Sequence, residues 1–270
     1  MKGKFSPGIL KFIPMMILIF VASGIITAQE VEEKPAEKGL KYNSNNSLSL
    51  VLTRGNNESF SFSFNSDQYL DFKNNRINLN ARFINATSNG TKKSDYYYSH
   101  LKYDRKIKSV AYLLGFIRYE RNKLAGYNFR WAFSAGGGAT WISRENITIS
   151  SELAFGWNNE NNARRIANQS IANSPQSWEK TISTSFLSSI FTNKADFKVS
   201  ESAQLKIQET LFFNLEDLND YRSNSFVSLS VAINEHFALS TSIQIIYQGL
   251  PVEGFDSTDL YLLSSIVITI

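Results

Sequence analysis

Histidine is the side chain that most often serves as a general base, and the chain contains two, His100 and His236. A lipid hydrolase would need one of them beside a serine and held by a third polar group. Neither histidine has a serine two residues on. We interpret His100, within a predicted strand, as structural, and His236, in a predicted tight turn, as solvated. The sequence therefore predicts no catalytic residue and a protein that is not an enzyme.

Metal and cofactor chemistry finds no support in the residue types and their spacing. The chain has no cysteine, which excludes disulfides and thiolate metal sites, and its two distant histidines lack the spacing of metal ligands. The run Gly136-Gly137-Gly138 is not followed by the helix and Lys/Thr of a phosphate loop. Within a strand it indicates sharp curvature or a close backbone approach. We expect no metal and no cofactor.

A set of charged and titratable residues shares the polar face of the strands described below. Both signs of charge are present. These residues either pair across strands and fill a narrow interior, or line a pore and tune its selectivity for solutes, and the cross-strand register decides between the two. The lumen-facing candidates are Arg76, Arg82, His100, Lys102, Asp104, Arg118, Glu120, Arg130, Glu152, Glu179, Lys198 and Lys206.

Strict alternation of apolar and polar residues dominates the chain from residue 47 onward. Leu48, Leu50 and Leu52 alternate with small polar residues, a pattern that predicts strands with one apolar and one polar face. Beyond residue 35, proline occurs only at 175 and 251, both in predicted loops, as a continuous sheet requires. The alternating segments lie near 47–53, 59–64, 76–83, 95–105, 109–121, 127–142, 146–157, 178–191, 196–213, 224–233, 237–248 and 258–270.

The connections between these segments differ in length. If the first strand starts in the periplasm, short turns lie on the periplasmic side and most long loops on the other, which is the asymmetry of bacterial outer-membrane barrels. A soluble β-sandwich or lipocalin-like barrel would alternate as well, but with its apolar face inward. The predicted periplasmic turns are 71–75, 106–108, 143–145, 193–195 and 234–236; the predicted outer connections are 55–57, 87–93, 122–126, 158–177, 214–221 and 249–257.

The N-terminus has the pattern of an export signal. Lysines precede an apolar run at 12–21 and small residues follow it, which predicts a secretory signal peptide at 1–28. A retained anchor helix is the alternative, but the run is short for a hydrocarbon core about 30 Å thick and contains Pro14. The mixed charges of 29–46 predict a flexible leader, and 47–270 is then the barrel.

Aromatic residues are placed where a membrane barrel needs them. Two tryptophans lie ten residues apart on one predicted strand, and would differ in depth by about 25 Å at about 3.3 Å per residue and a tilt of about 40°. The predicted aromatic girdles contain Trp131, Trp141, Tyr119, Tyr127 and Trp157. The predicted lipid-facing residues include Leu48, Phe60, Ile77, Leu113, Ile117, Phe133, Ile149, Leu153, Phe186, Leu205, Leu229, Ile243 and Ile266.

Composition and charge exclude other classes of protein. With 43% hydrophobic and 19% charged residues, the chain is neither disordered nor a helical membrane bundle. The formal charge of +4 includes Lys2, Lys4 and Lys11 of the signal peptide, so the remainder has 4 − 3 = +1. No cluster of basic residues interleaved with aromatics follows, and no nucleic-acid partner is expected.

The chain resembles the salt-induced outer-membrane protein family, a domain family of unknown function, over roughly 47–270. The resemblance implies an outer-membrane barrel and brings no catalytic residues. It rests on Leu52-Thr53-Arg54-Gly55-Asn56, Gly115-Phe116-Ile117-Arg118-Tyr119-Glu120-Arg121, Gly136–Gly138, and the ending with Pro251, Gly254, Phe255, Thr258 and Asp259.

The fold expected is all-β, a transmembrane antiparallel up-and-down β-barrel of about twelve strands in the bacterial outer membrane. The expected function is a passive small-solute channel or envelope component. The alternatives are a closed, non-conducting barrel with a structural or surface-binding role and, third, an outer-membrane lipid hydrolase. The expected partners are outer-membrane lipid, lipopolysaccharide and the barrel-insertion machinery, and the barrel is expected to be a monomer.

Overall fold

The computed structural model describes residues 39–53, 59–89, 91–165, 178–253 and 255–269. Within these ranges the side chains of 53, 92–93, 124, 163–165 and 178–180 are not described. The predicted signal peptide, and the leader as far as residue 38, lie outside the described residues. Among the described residues, no helix is long and apolar enough to cross a membrane.

The strands form a closed antiparallel barrel in which each strand pairs with its neighbours along the chain. The barrel closes where Asn45–Leu48 of the first strand pair with Ile266–Thr269 of the last. The predicted up-and-down barrel of twelve strands is confirmed. The strands are β1 Leu40–Thr53, β2 Ser59–Phe72, β3 Asn75–Ser88, β4 Thr91–Lys106, β5 Ala111–Asn122, β6 Tyr127–Arg144, β7 Ile147–Arg165, β8 Trp178–Lys198, β9 Ala203–Asn214, β10 Tyr221–Ala232, β11 Phe237–Gln248 and β12 Thr258–Thr269.

The alternation in the sequence becomes two different faces of the barrel wall. On β6, Phe133 is exposed on the outer surface and stands opposite Trp157 of β7, which is exposed as well. The preceding residue, Ala132, is buried in the lumen opposite Asn158. Successive strand residues point to opposite sides of a sheet, so most of the large apolar side chains lie outside, as lipid contact requires.

The two ends of the barrel differ in their connections. At one end, which we call the turn end, the strands are joined by the short turns 73–74, 107–110, 145–146, 199–202 and 233–236. At the other end, the loop end, the connections are 54–58, 89–90, 123–126, 166–177, 215–220 and 249–257, with a 3₁₀ turn at Lys123–Ala125. The predicted asymmetry is present, except that the predicted loop 87–93 is a two-residue connection at 89–90.

Several strands are longer than their polar composition suggested. β1 begins at Leu40, inside the predicted leader, and β7 continues to Arg165, inside the predicted loop 158–177. The predicted turn 193–195 is wrong, because β8 runs to Lys198 and Asn193 pairs with residues of both neighbouring strands. Polar residues that face a lumen do not end a strand, and this is why polarity misplaced these boundaries.

Two aromatic residues predicted on the outer surface lie in the lumen. Tyr127 was assigned to a girdle, but a β-bulge between Tyr127 and Phe129 changes which side of the wall it faces, and only 1% of it is exposed. Phe186 was assigned to the lipid face, but it pairs with the buried Asn158 and packs against other buried apolar residues. Both predictions are corrected by the register.

Candidate functional site

A polar cavity of about 580 Å³ occupies the turn-end half of the lumen, and we call it the basin. Its lining includes Ser202, Asn234 and His236 from the connections at the turn end, so it opens there. Arg82 and Arg118 lie deep in its lining, each seven residues from the turn-end limit of its strand, and Tyr96 lies further in. At about 3.3 Å per residue and a tilt of about 40°, these arginines lie roughly 18 Å from the turn-end limits of their strands.

An apolar cluster forms the floor of the basin. Phe186, Ile190 and Phe212 are buried together, with Phe116 packed against them, and we call these four residues the floor. The rings of Phe186 and Phe212 meet edge to face at 6.0 Å. Phe116 and Ile190 also line the basin. A hydrated solute that passed these residues would meet apolar side chains on β5, β8 and β9, which offer no hydrogen bonds in place of its water.

Beyond the floor, a network of buried charged and polar side chains crosses the lumen. Arg222 on β10 binds both carboxylate oxygens of Glu160 on β7, with Nη2 3.0 Å from Oε2, although two strands separate them. It also donates to Asp220 from Nε at 2.9 Å and from Nη2 at 2.8 Å. Because bidentate guanidinium–carboxylate pairs are the strong kind, this group is held rigidly.

The network continues on the opposite wall. The Tyr127 hydroxyl donates to Oε1 of Gln248 on β11, and the guanidinium of Arg130 lies 3.8 Å from the centre of the Tyr127 ring. Arg130 Nη2 also binds Glu120 Oε1 at 2.6 Å. We call the whole network the seal; its members are Glu120, Tyr127, Arg130, Glu160, Asp220, Arg222 and Gln248.

A loop covers the seal from outside. Gly126, which ends the 3₁₀ turn between β5 and β6, has a φ of +87°. A Cβ added there would lie 2.8 Å from the Phe255 ring and from Val252. Both belong to the connection 249–257 between β11 and β12, six strands away around the barrel. The described part of this loop therefore reaches across the mouth at the loop end.

Most charges on the basin wall neutralise each other. Glu152 accepts hydrogen bonds from Lys102 Nζ at 2.6 Å, from Lys194 Nζ at 3.0 Å and from the Tyr112 hydroxyl at 2.9 Å. Lys102 also lies 3.0 Å from Asp104. This cluster joins β4, β5, β7 and β8, so it braces one side of the lumen rather than presenting free charge.

The structure brings many of the sequence-predicted lumen residues together. Those that line the basin are Arg82, His100, Lys102, Arg118, Glu152 and Lys206. Glu120 and Arg130 belong to the seal, and Asp104 to the Lys102 cluster. Arg76, half exposed at the turn end, binds Asp71 at 2.6 Å. Lys198 is the last residue of β8, opposite Gln204, and the side chain of Glu179 lies outside the described residues.

The two histidines lie far apart in the structure. His100 packs edge to face on Phe116, with ring centres 5.0 Å apart, and 6.2 Å from Tyr98. His236 is exposed in the β10–β11 connection, where its Nε2 lies 3.6 Å from Glu235. Aromatic packing of this kind fits the structural role assigned to His100.

Four of the five predicted girdle residues lie on the outer face of neighbouring strands. Tyr119 stands opposite Trp131, whose ring meets the Trp157 ring edge to face at 4.9 Å. These three rings lie in the loop-end half. Trp141 lies near the turn end and donates from Nε1 to Ser151 Oγ at 3.0 Å. Their contact with lipid stays a prediction.

Residues of the seal were largely missed by sequence reasoning. Glu160 fell in a predicted loop and Arg222 in the gap between a predicted loop and the strand from 224. A signal was present for Glu160, because the small or polar lumen residues Ala154, Gly156 and Asn158 continue with the same period to Glu160. No local signal identifies Tyr127, since its orientation depends on a bulge against β7.

Comparisons with solved structures return other barrels at low identity. The chain is similar to the NanC porin (9% identity, 84% of this chain and 97% of that one, TM-score 0.45). It is also similar to the translocator domain of the autotransporter NalP from Neisseria meningitidis (10% identity, 95% of this chain and 94% of that one, TM-score 0.44). A third similar structure is an outer-membrane channel from Pseudomonas putida F1 (10% identity, 89% of this chain and 100% of that one, TM-score 0.45).

No curated protein matched the chain. The salt induction implied by the resemblance in the sequence stays a prediction. Residues 47–270 match a family model, and this range covers all strands of the barrel except the beginning of β1. The chain therefore belongs to the family described as "Protein of unknown function, DUF481".

Proposed function

We propose that this chain is an outer-membrane barrel that is closed to solutes at its loop end and presents a polar basin at its turn end. The observation that supports this most directly is the seal. Tyr127 and Gln248, on strands five positions apart around the barrel, meet across the lumen. Arg222 and Glu160 cross it from another direction. This favours the closed-barrel alternative over a permanently open channel.

The energetics of the seal support a resting closed state. Removing one partner of a buried ion pair costs about 3–5 kcal/mol because the other charge is left uncompensated. Opening the seal without replacing its contacts would carry a penalty of this kind at Arg222–Glu160 and again at Arg130–Glu120. Thermal fluctuation alone would therefore open the lumen rarely.

A gated passive channel is the second candidate, and one observation favours it. The seal consists of side chains from the barrel wall and of Asp220 in the connection 215–220, and among the described residues the connection 249–257 lies above it. Displacement of that loop together with rotation of a few side chains would join the basin to the outside. Side-chain and loop movements are far faster than unfolding of a strand.

The membrane location follows from the outer wall and the ends. Exposed apolar residues cover the outside, and short turns at one end oppose longer loops at the other, as in bacterial outer-membrane barrels. By the same rule the turn end, and with it the mouth of the basin, faces the periplasm.

Single-channel recording of the refolded protein in a planar bilayer tests the closed state. We expect no conductance steps from the wild type. The double variant Arg222→Ala/Glu160→Ala removes the ion pair and leaves Asp220 hydrogen-bonded to the Asn214 amide at 3.2 Å, and we expect it to conduct. Arg76→Ala, whose partner Asp71 lies at the turn end outside the seal, is the matched control and should stay silent.

Reproducible steps from the wild type would overturn the closed barrel and support the open channel. If the double variant inserts but stays silent, the Arg222–Glu160 pair is not by itself what closes the lumen. Incorporation into liposomes and a strand-rich circular dichroism spectrum establish that each variant is folded and inserted before its conductance is interpreted.

A further inference from the structure

Two arginines at the deep end of the basin have no carboxylate partner. Among the described residues, neither Arg82 nor Arg118 forms an ion pair. Arg82 donates to amide oxygens, from Nη1 to Gln244 at 2.6 Å and from Nε to Asn65 at 3.1 Å. The Nε of Arg118 is buried without any hydrogen-bond partner. An arginine is always charged, so these two cations are stabilised incompletely by the protein itself.

Aromatic faces orient both guanidinium groups. The Arg82 guanidinium lies 5.5 Å from the centre of the Phe226 ring, and that of Arg118 lies 5.9 Å from Phe212 of the floor. Stacking on a ring holds one face of a guanidinium and leaves its N–H edge available for an oxyanion. Both arginines line the basin.

The register places these arginines on either side of one strand. Arg82 of β3 stands opposite Tyr98 of β4, and Arg118 of β5 stands opposite His100 of β4. Adjacent strands are about 4.8 Å apart and Tyr98 and His100 are two residues apart on β4, so the two arginine backbones lie roughly 12 Å apart along the wall. Tyr98 and His100 also line the basin and lie between them. An oxyanion of a small solute fits between side chains with this separation.

The remaining charges around this position are largely neutralised. Lys102 and Lys194 are paired with Glu152, and Lys206 stands opposite Asp196 in the register. Asp67 on β2 accepts hydrogen bonds from the amides of Asn80 and Asn65 at 2.6 and 3.1 Å, and Glu120, opposite Tyr98 in the register, is paired with Arg130. The arginines therefore dominate the local field.

We infer that the deep end of the basin is a binding site for an oxyanion, the phosphate or carboxylate group of a small solute that enters from the turn end. Arg82 and Arg118 bind it, and Tyr98 is placed to donate a further hydrogen bond. The site requires only the basin, not a closed loop end. Its failure would therefore leave the closed-barrel proposal unaffected, and conductance of the wild type would overturn the closed barrel without overturning this site.

Isothermal titration calorimetry on the refolded full-length mature barrel in detergent tests the site, with inorganic phosphate and citrate as probes and glucose as the neutral control. We expect saturable binding of an oxyanion probe that weakens as sodium chloride is raised, because screening reduces the attraction. Arg118→Ala and Arg82→Gln should each raise the dissociation constant at least tenfold. Arg118→Lys keeps the charge but loses the bidentate guanidinium, so its dissociation constant should lie between those of the wild type and Arg118→Ala.

Arg76→Ala is the matched control, since this arginine is already paired with Asp71 and does not line the basin. It should bind like the wild type. The inference is overturned if folded wild type binds neither probe, or if Arg118→Ala and Arg82→Gln bind as tightly as Arg76→Ala. Binding of citrate but not phosphate would assign the site to carboxylates, and the reverse to phosphates.

Discussion

The hydroxyl of Tyr127 donates a hydrogen bond across the lumen to the side-chain oxygen of Gln248, 121 residues away in the chain. Tyr127 reaches this position only because a bulge at the start of β6 turns it inward. One contact thus ties two nearly opposite walls of the barrel together directly beneath the loop that covers the mouth. The predictions below follow from contacts of this kind, each of which joins residues distant in sequence.

Tyr127→Phe removes the donor hydroxyl, so Gln248 Oε1 loses its hydrogen bond from Tyr127. We expect the free energy of unfolding to fall by about 1–3 kcal/mol, the cost of an unsatisfied buried acceptor. Urea denaturation of the detergent-refolded barrel, followed by circular dichroism, measures this. Tyr221→Phe is the control, because its hydroxyl lies on the exposed surface, 3.4 Å from that of Tyr247. Equal effects from both variants would contradict the assigned role of the cross-lumen bond.

Gly136→Ala and Gly137→Ala should differ sharply although they are adjacent. A Cβ at Gly136 would lie 2.6 Å from Ala154 Cα and closer still to the Leu153 carbonyl oxygen, whereas one at Gly137 would meet only the Tyr112 carbonyl oxygen at 3.6 Å. The close approach expected from the glycine run is thus confirmed at Gly136. We expect a loss of about 1–3 kcal/mol for Gly136→Ala and under about 1 kcal/mol for Gly137→Ala. The same denaturation assay decides, and similar losses would refute the close-packing account.

Glu160→Ala should destabilise the barrel by about 3–5 kcal/mol, because it leaves Arg222 buried with only Asp220 as a carboxylate partner. The double variant Glu160→Leu/Arg222→Met should lose much less than the sum of the single variants. Asp71→Ala, which breaks the half-exposed Arg76 pair, is the reference and should cost about 0–1 kcal/mol. Additive losses at Glu160 and Arg222 would show that the two are not coupled.

Glu209→Leu should stabilise the barrel. The neighbours Gln208 and Thr210 line the basin, so Glu209 points to the outer wall, opposite Asn193 and Ser225. It is 3% exposed, and neither carboxylate oxygen has a hydrogen-bond partner among the described residues. Relief of an unsatisfied buried polar group should raise the free energy of unfolding by about 1–3 kcal/mol. Glu235→Leu in the exposed β10–β11 connection is the control. A loss of stability in Glu209→Leu would instead reveal a partner for the Glu209 carboxylate.

Single cysteines will report which end of the barrel faces outside, because the natural chain has no cysteine to react. Asn219→Cys at the loop end should react with a membrane-impermeant maleimide on intact cells. Ser200→Cys at the turn end should react only after the outer membrane is permeabilised. Both residues are exposed in their connections, so a cysteine at either position is accessible to the maleimide. The opposite labelling pattern would invert the barrel and place the mouth of the basin outside.

Several features could be derived from residues near one another in the chain. Alternation at Leu48, Leu50 and Leu52, and along β6, predicts strands and their apolar face because successive side chains always point to opposite sides of a strand. Lumen residues in long regular stretches, such as Arg82, His100 and Arg118, followed from the same rule. Where polar residues continued a strand, as at Asn193 and Glu160, the sequence pattern resembled a turn or loop and was misread.

The sequence by itself determined the fold class, the strand count and the polarity of the two faces, since these depend only on local periodicity and on backbone hydrogen bonding between successive strands. Only the tertiary structure decided which lumen side chains meet, as the described residues do in the seal at the loop end and around the basin at the turn end. That outcome depends on register, on the bulge that turns Tyr127 inward, and on side chains that meet only when twelve strands close into a ring. Whether two charges such as Arg222 and Glu160 pair, or remain unpaired like Arg118, is therefore a property of the closed barrel and not of any segment of the chain.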